Sequence, residues 1–138
     1  MYAMSDLHVH STASDGQYTP AQLLVMAKER GIEAIALTDH DTADGLEEAA
    51  QAGERSGICV IPGVELSAKE YPTFHILGYG FARDAPPLAE LCHRMKASRG
   101  ERAGRLLAFL RRKGVELTAA EVEALAGGGI IGRPHFAQ

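Results

Sequence analysis

Short apolar runs alternate with longer stretches in which apolar residues recur every three or four positions, and this alternation predicts most of the architecture. Residues 5–10 read as a first strand. Pro20 opens a helix after Thr19, a natural capping residue, and Leu23, Leu24, Met26 and Ala27 give it an apolar side before Gly31 stops it. Ala34-Ile35-Ala36-Leu37 is a continuous apolar run, the mark of a strand covered on both faces. A helix from Ala43 to Ser56, ended by Gly57, leads into a second such run from Ile58 to Val64. Strand and helix therefore alternate twice, which predicts parallel βαβ units and an α/β domain.

The run His75 to Tyr79 departs from that rhythm. Only seven residues separate Leu66 from Phe74, whereas a parallel crossover needs about a dozen or more. An antiparallel return is predicted, which carries His75 back beside Glu65. After Asp84-Ala85-Pro86-Pro87 a long helix is predicted from Leu88 to Lys113, ended by Gly114, with an apolar seam of Leu88, Leu91, Met95, Leu106 and Leu110. Arg99 and Arg102 occupy the seam positions in between. Either the seam turns into solvent near Gly100, or the two guanidinium groups face a phosphate-binding cleft. A short helix from Thr118 to Leu125 follows, then Gly127-Gly128-Gly129 as a flexible joint. Pro134 reads as the first position of a helix that is not completed, so the expectation is a chain that stops inside an element.

Length and composition narrow the class. A chain of 138 residues reads as one ordinary domain, its apolar runs are too short to span a membrane, and with no charged-then-apolar stretch before the first motif neither export nor a membrane span is expected. Cys59 and Cys92 read as reduced core thiols, which fits a cytoplasmic setting. Residues 1–70 hold 12 acids and 4 bases, whereas residues 71–138 hold 6 acids and 10 bases. An acidic first half suits cation binding and a basic second half suits a phosphorylated ligand, although two solvated surfaces account for the same asymmetry.

Candidate chemistry clusters at the strand ends. In a strand, residues i and i+2 share a face, so His8 and His10 point the same way and can share one metal ion, before Asp15 and Gly16 turn the chain. Ligand-type residues recur at the ends of the next runs: His40, Glu65 and His75. In α/β folds the chemistry sits at the carboxyl ends of the strands, where His8, His10, His40 and Glu65 fall. Asp39 and Asp41 flank His40 and read as groups that orient it, with helix capping as the alternative for Asp41. Tyr18, Tyr71 and Phe74 can stack on a base, but core packing is the simpler expectation. His93 reads as a partly exposed helix residue. Neither a phosphate-cradling glycine loop nor a serine nucleophile elbow is present.

Asp6-x-His8-x-His10-Ser11 with Ser14-Asp15-Gly16, then Thr38-Asp39-His40-Asp41, then Gly63-Val64-Glu65, resembles in order the motifs of the PHP family, named for polymerase and histidinol phosphatase. Phe74-His75-Ile76-Leu77-Gly78 and Gly132-Arg133-Pro134-His135-Phe136-Ala137 are similar to its small bacterial phosphoesterases, which act on nucleotide 3',5'-bisphosphates and short RNA ends. The resemblance implies the N-terminal part of a distorted (β/α)7 barrel over residues 1–84 and the start of a helical insertion, truncated, over residues 85–138. It also implies two to three divalent ions, manganese, zinc or iron, held by about nine ligands, of which His8, His10, Asp15, His40, Glu65 and His75 supply six. The nucleophile would be a hydroxide formed on those ions, so no side chain is expected to act as one.

Arg133 and His135 resemble positions that contact substrate phosphate, with an exposed helix-start residue as the alternative for His135; Arg99 and Arg102 join them as substrate-binding candidates on their place in the helix seam alone. The function so implied is a metal-dependent phosphoesterase that hydrolyses a phosphomonoester, the 3'-phosphate of a nucleotide 3',5'-bisphosphate. Histidinol-phosphate phosphatase is one alternative. A non-catalytic metal-binding scaffold is another, because an Ala-His-Pro-like and an Asp-x-His-like stretch are absent. The expected partner is a small phosphorylated substrate, a nucleotide or short RNA, and neither duplex DNA nor a membrane. An open strand edge further implies self-association or pairing with a missing segment.

Overall fold

The computed structural model describes residues 4–68, 71, 73–82 and 84–138. Thr19 starts the first helix by a reciprocal cap: its Oγ1 accepts from the Gln22 N–H at 3.2 Å, and its own N–H donates to Gln22 Oε1 at 2.9 Å. In chain order the elements are β1 (Met4–Val9), α1 (Pro20–Glu29), β2 (Ile32–Leu37), α2 (Leu46–Ser56), β3 (Cys59–Ser67) and β4 (His75–Tyr79). Three helices follow: α3 (Pro86–Arg112), α4 (Ala119–Ala126) and α5 (Pro134–Ala137). The strands form one sheet in the order β1-β2-β3-β4, parallel from β1 to β3 and antiparallel between β3 and β4. Both the βαβ alternation and the antiparallel return are therefore present.

Apolar burial fixes this arrangement. Leu24 and Ala27 of α1, Leu46, Ala49 and Ala52 of α2, and Ile35 and Leu37 of β2 pack with Ile58 into one core between the helices and the sheet. At the edge of the sheet, Met4 and Leu7 of β1 remain exposed. β3 is the strand that organises the site, because it changes partner along its length. Ala34 to Leu37 pair with Cys59 to Pro62, and Gly63 to Ser67 then pair with His75 to Tyr79. Gly63 sits at the changeover, where an added Cβ would lie 2.7 Å from the Leu37 carbonyl oxygen.

Several expectations are corrected. The second helix begins at Leu46 rather than Ala43, because Asp41 adopts a left-handed φ of 55° and residues 41–44 form a loop; Asp41 therefore does not cap it. In α3 the leucine seam is only half-buried, and the buried residues are Arg99 and Ala103. Gly127 ends α4 in the left-handed conformation, and Gly129 packs against the carbonyls of Thr12 and Ala13, so this glycine run makes defined contacts instead of acting as a joint. Cys59 is exposed and Cys92 half-buried, both unpaired, so neither is a core thiol. Tyr18, Tyr71 and Phe74 are exposed and so are not core residues either. His93 is exposed. No helix among the described residues is long and apolar enough to cross a membrane.

Candidate metal centre

Strand geometry delivers four imidazoles and two carboxylates to one place. His8 and His10 alternate along β1 and its end, and both direct Nε2 at the same oxygen, Glu65 Oε2, at 2.9 and 2.8 Å. His75 lies opposite Ser67 in the β3–β4 ladder and therefore diagonal to Glu65, which its Nδ1 meets at 2.7 Å through Oε1. The turn after His10 is closed by the Gly16 N–H donating to the Ser11 carbonyl at 2.9 Å, and it returns Asp15 to within 3.1 Å of His10 Nδ1. His40 stands between the two carboxylates, with Nε2 3.9 Å from Asp15 Oδ2 and Nδ1 3.7 Å from Glu65 Oε2. Three sets result, His8/His10/Glu65, His10/Asp15/His40 and His40/Glu65/His75, each with its donor atoms within 4.8 Å of one another.

The donors suit a divalent cation. His40 Nδ1 is buried and has no hydrogen-bond partner among the described residues, and a bound cation would satisfy it in the tautomer that leaves this nitrogen its lone pair. Protonation follows the same geometry. The hydrogen bond with His10 holds the Asp15 carboxyl below its ordinary range. Burial pushes Glu65 up, but the hydrogen bonds from His8 and His75 outweigh it and keep Glu65 below the ordinary value. Burial likewise lowers His10, yet the Asp15 hydrogen bond and the charges of Asp15 and Glu65 raise it overall. His40 is lowered by burial and then by Arg99, so it presents a neutral ring. Two anionic carboxylates amid imidazoles of differing basicity form a set that a cation can enter by displacing protons.

The flanking aspartates do not touch the His40 ring as the sequence suggested. Asp39 is buried and accepts from the Ser11 N–H (2.7 Å), Ser11 Oγ (2.7 Å) and Ser14 Oγ (2.6 Å), thereby holding the turn that carries Asp15. Asp41 accepts from the Ser67 N–H and Oγ at 2.7 and 2.8 Å and from Arg99 Nε at 2.5 Å. Ser11 and Ser14 stand in the sequence motifs without a role assigned to them, and Ser67 was missed altogether. Ser67 carries one usable signal: it lies two residues after Glu65 and so shares its face of β3.

Beside the donor cluster lies a cleft of about 350 Å³ whose walls include Asp15, His40, His75, Arg99, Arg102 and Arg133. The two arginines of α3 and the one before α5 thus meet the donor set in one cavity. His135 is placed differently: its ring is buried, Nδ1 accepts from the Gly132 N–H at 2.9 Å, and it is not among the residues lining the cleft.

Residues 6–126 match the PHP domain. The chain belongs to the PHP family. It is 49% identical over 92 residues to a phosphoribosyl 1,2-cyclic phosphate 1,2-diphosphodiesterase from Eggerthella lenta, covering 64% of this chain and 35% of the relative. It is 39% identical to a 5'-3' exoribonuclease from Haemophilus influenzae (96% of this chain, 48% of the relative). A 3',5'-nucleoside bisphosphate phosphatase from Chromobacterium violaceum is 38% identical (96% and 47%). Among solved structures, a Bifidobacterium adolescentis protein described as a metal-dependent phosphoesterase superposes with a TM-score of 0.89 at 29% identity, over 99% of this chain and 49% of that one. This PHP chain therefore spans about half the length of most of these relatives, and its curled sheet is a partial PHP barrel.

Proposed function

We propose that this PHP domain is the metal-binding half of a phosphoesterase that removes a phosphoryl group from a phosphomonoester, the 3'-phosphate of a nucleotide 3',5'-bisphosphate. One observation carries the reading: candidate cation donors and guanidinium groups line the same cleft, so a phosphoryl group seated there meets both. His8, His10, Asp15, His40, Glu65 and His75 would hold two or three divalent ions, manganese, zinc or iron. Such ions, when bound, acidify water and neutralise phosphoryl charge.

The chain's own residues account for positioning. Arg102 and Arg133 make no ion pair among the described residues, so their donors are available to phosphoryl oxygens. The same features support trimming of short RNA as a related activity. The two unpaired cysteines favour a cytoplasmic setting, and the exposed β1 edge favours pairing with another strand.

A phosphate-release screen tests this reading. Nucleotide 3',5'-bisphosphates, histidinol phosphate, phosphoribosyl cyclic phosphate and 5'-phosphorylated short RNA would be compared, with metal content measured on the same sample. Preferential release from nucleotide bisphosphates supports the assignment. Preference for another substrate, or full metal occupancy without turnover of any, rejects it.

A further inference from the structure

Arg99 is the only charged residue buried on α3, at 7% exposure, and two partners fix it there. Its Nε donates to Asp41 Oδ2, and its Nη2 donates to Ser67 Oγ at 2.9 Å, while Ser67 Oγ donates its own proton to Asp41 Oδ2 at 2.8 Å. The three side chains close a ring in which every hydrogen has one acceptor. Asp41 is able to close it because its φ of 55° lets its N–H donate to the Glu65 carbonyl (3.0 Å) while its carboxylate takes the Ser67 N–H (2.7 Å).

Arg99 also stands in a wall between two cavities. On one side is the cleft with Asp15, His40 and His75. On the other is a space of about 840 Å³ lined by Ser67, Arg94, Met95, Ser98, Arg102 and Arg105. The bond to Asp41 alone anchors Nε but leaves the terminal nitrogens free to turn toward either side. The second bond, from Ser67, removes that freedom. Of the roughly five N–H donors of a guanidinium, two are used and the remaining ones are left for a ligand.

We propose that Ser67, acting with Asp41, is a positioning residue that aims the Arg99 guanidinium into the cleft so that it binds a phosphoryl oxygen. This rests on reading the cleft as the phosphate site. Ser67 pairs with His75 through the backbone ladder, which an alanine keeps, whereas its hydroxyl bonds only Asp41 and Arg99 among the described residues, so removing the hydroxyl acts on anion binding and leaves the cation donors' own contacts in place.

The test uses this chain loaded with Mn²⁺, with orthophosphate affinity measured by calorimetry and metal content by elemental analysis, for the wild type, Ser67→Ala and Ser67→Thr. The expected result is about tenfold weaker phosphate binding in Ser67→Ala, the size of one charge-assisted hydrogen bond, with unchanged metal content. Ser67→Thr, which keeps the hydroxyl and suits a strand, restores the affinity. Wild-type affinity in Ser67→Ala overturns the proposal, as does a loss of metal parallel to the loss of phosphate. No phosphate binding by the manganese-loaded wild type removes the cleft reading itself, and this proposal with it.

Discussion

His40 and Glu65 face each other across a single parallel β-bridge just beyond the end of β2. The Glu65 N–H donates to the Asp39 carbonyl at 3.1 Å and the Asp41 N–H to the Glu65 carbonyl at 3.0 Å. Backbone register, not side-chain attraction, thus sets the 3.7 Å between His40 Nδ1 and Glu65 Oε2, and it leaves that nitrogen buried and without a partner. A buried polar atom so left costs about 1–3 kcal/mol until something satisfies it.

Glu65, like His10 and His40, belongs to two of the three donor sets, and of those three it is the one that brings a negative charge. Glu65→Gln keeps the shape and removes the charge. Manganese affinity should fall about 100-fold, the upper end of the range for disturbing metal sites, and the metal-induced rise in melting temperature should vanish. Both are read by calorimetry and thermal melting.

Asp39 answers three donors from a buried position. Asp39→Ala would strand the Ser11 N–H and two hydroxyls, and should destabilise the chain by about 3 kcal/mol in urea unfolding. Ser14→Ala removes a single bond and should cost about 1 kcal/mol.

Acid should unfold the metal-free chain in a direction set by its carboxylates. Asp15 and Glu65 are both held below their ordinary values of 3.8 and 4.5. Their stabilisation is therefore complete above those values and is lost as pH falls through the lower folded-state ones. Melting temperature measured in chelator should drop below pH about 4.5, and Asp15→Asn should make that drop shallower. An unchanged acid limb in Asp15→Asn would show that the His10–Asp15 pair contributes nothing to it.

Gly63 lets β3 approach the end of β2. A Cβ there would meet the Leu37 carbonyl oxygen and Thr38 Cγ2, both at 2.7 Å, and backbone cannot give way. Gly63→Ala should cost about 2 kcal/mol and also weaken manganese binding, because the strand it displaces carries Glu65.

Much of this was legible in the sequence because strand period and connection length are local properties. His8 and His10 share a face by counting, and the seven residues before Phe74 force the return that brings His75 to Glu65. Partners chosen by the packing of distant segments were not legible. Arg99 meets Asp41 only because Asp41 adopts a left-handed backbone, a choice that its residue type permits but does not announce. His135 turns onto the Gly132 amide for an equally local reason that the Gly-Arg-Pro-His pattern conceals. The exposure of Tyr71 and Phe74 was missed because hydrophobicity reports what burial would gain, not whether a covering element is present.

The most direct test is a crystal structure of this chain grown with Mn²⁺ and read by anomalous scattering. A metal centre at Glu65 predicts strong anomalous peaks within ligand distance of its carboxylate, flanked by His8 and His10 on one side and by His40 and His75 on the other. Manganese bound elsewhere, or a site still bridged only by direct imidazole–carboxylate hydrogen bonds at saturating metal, would contradict it.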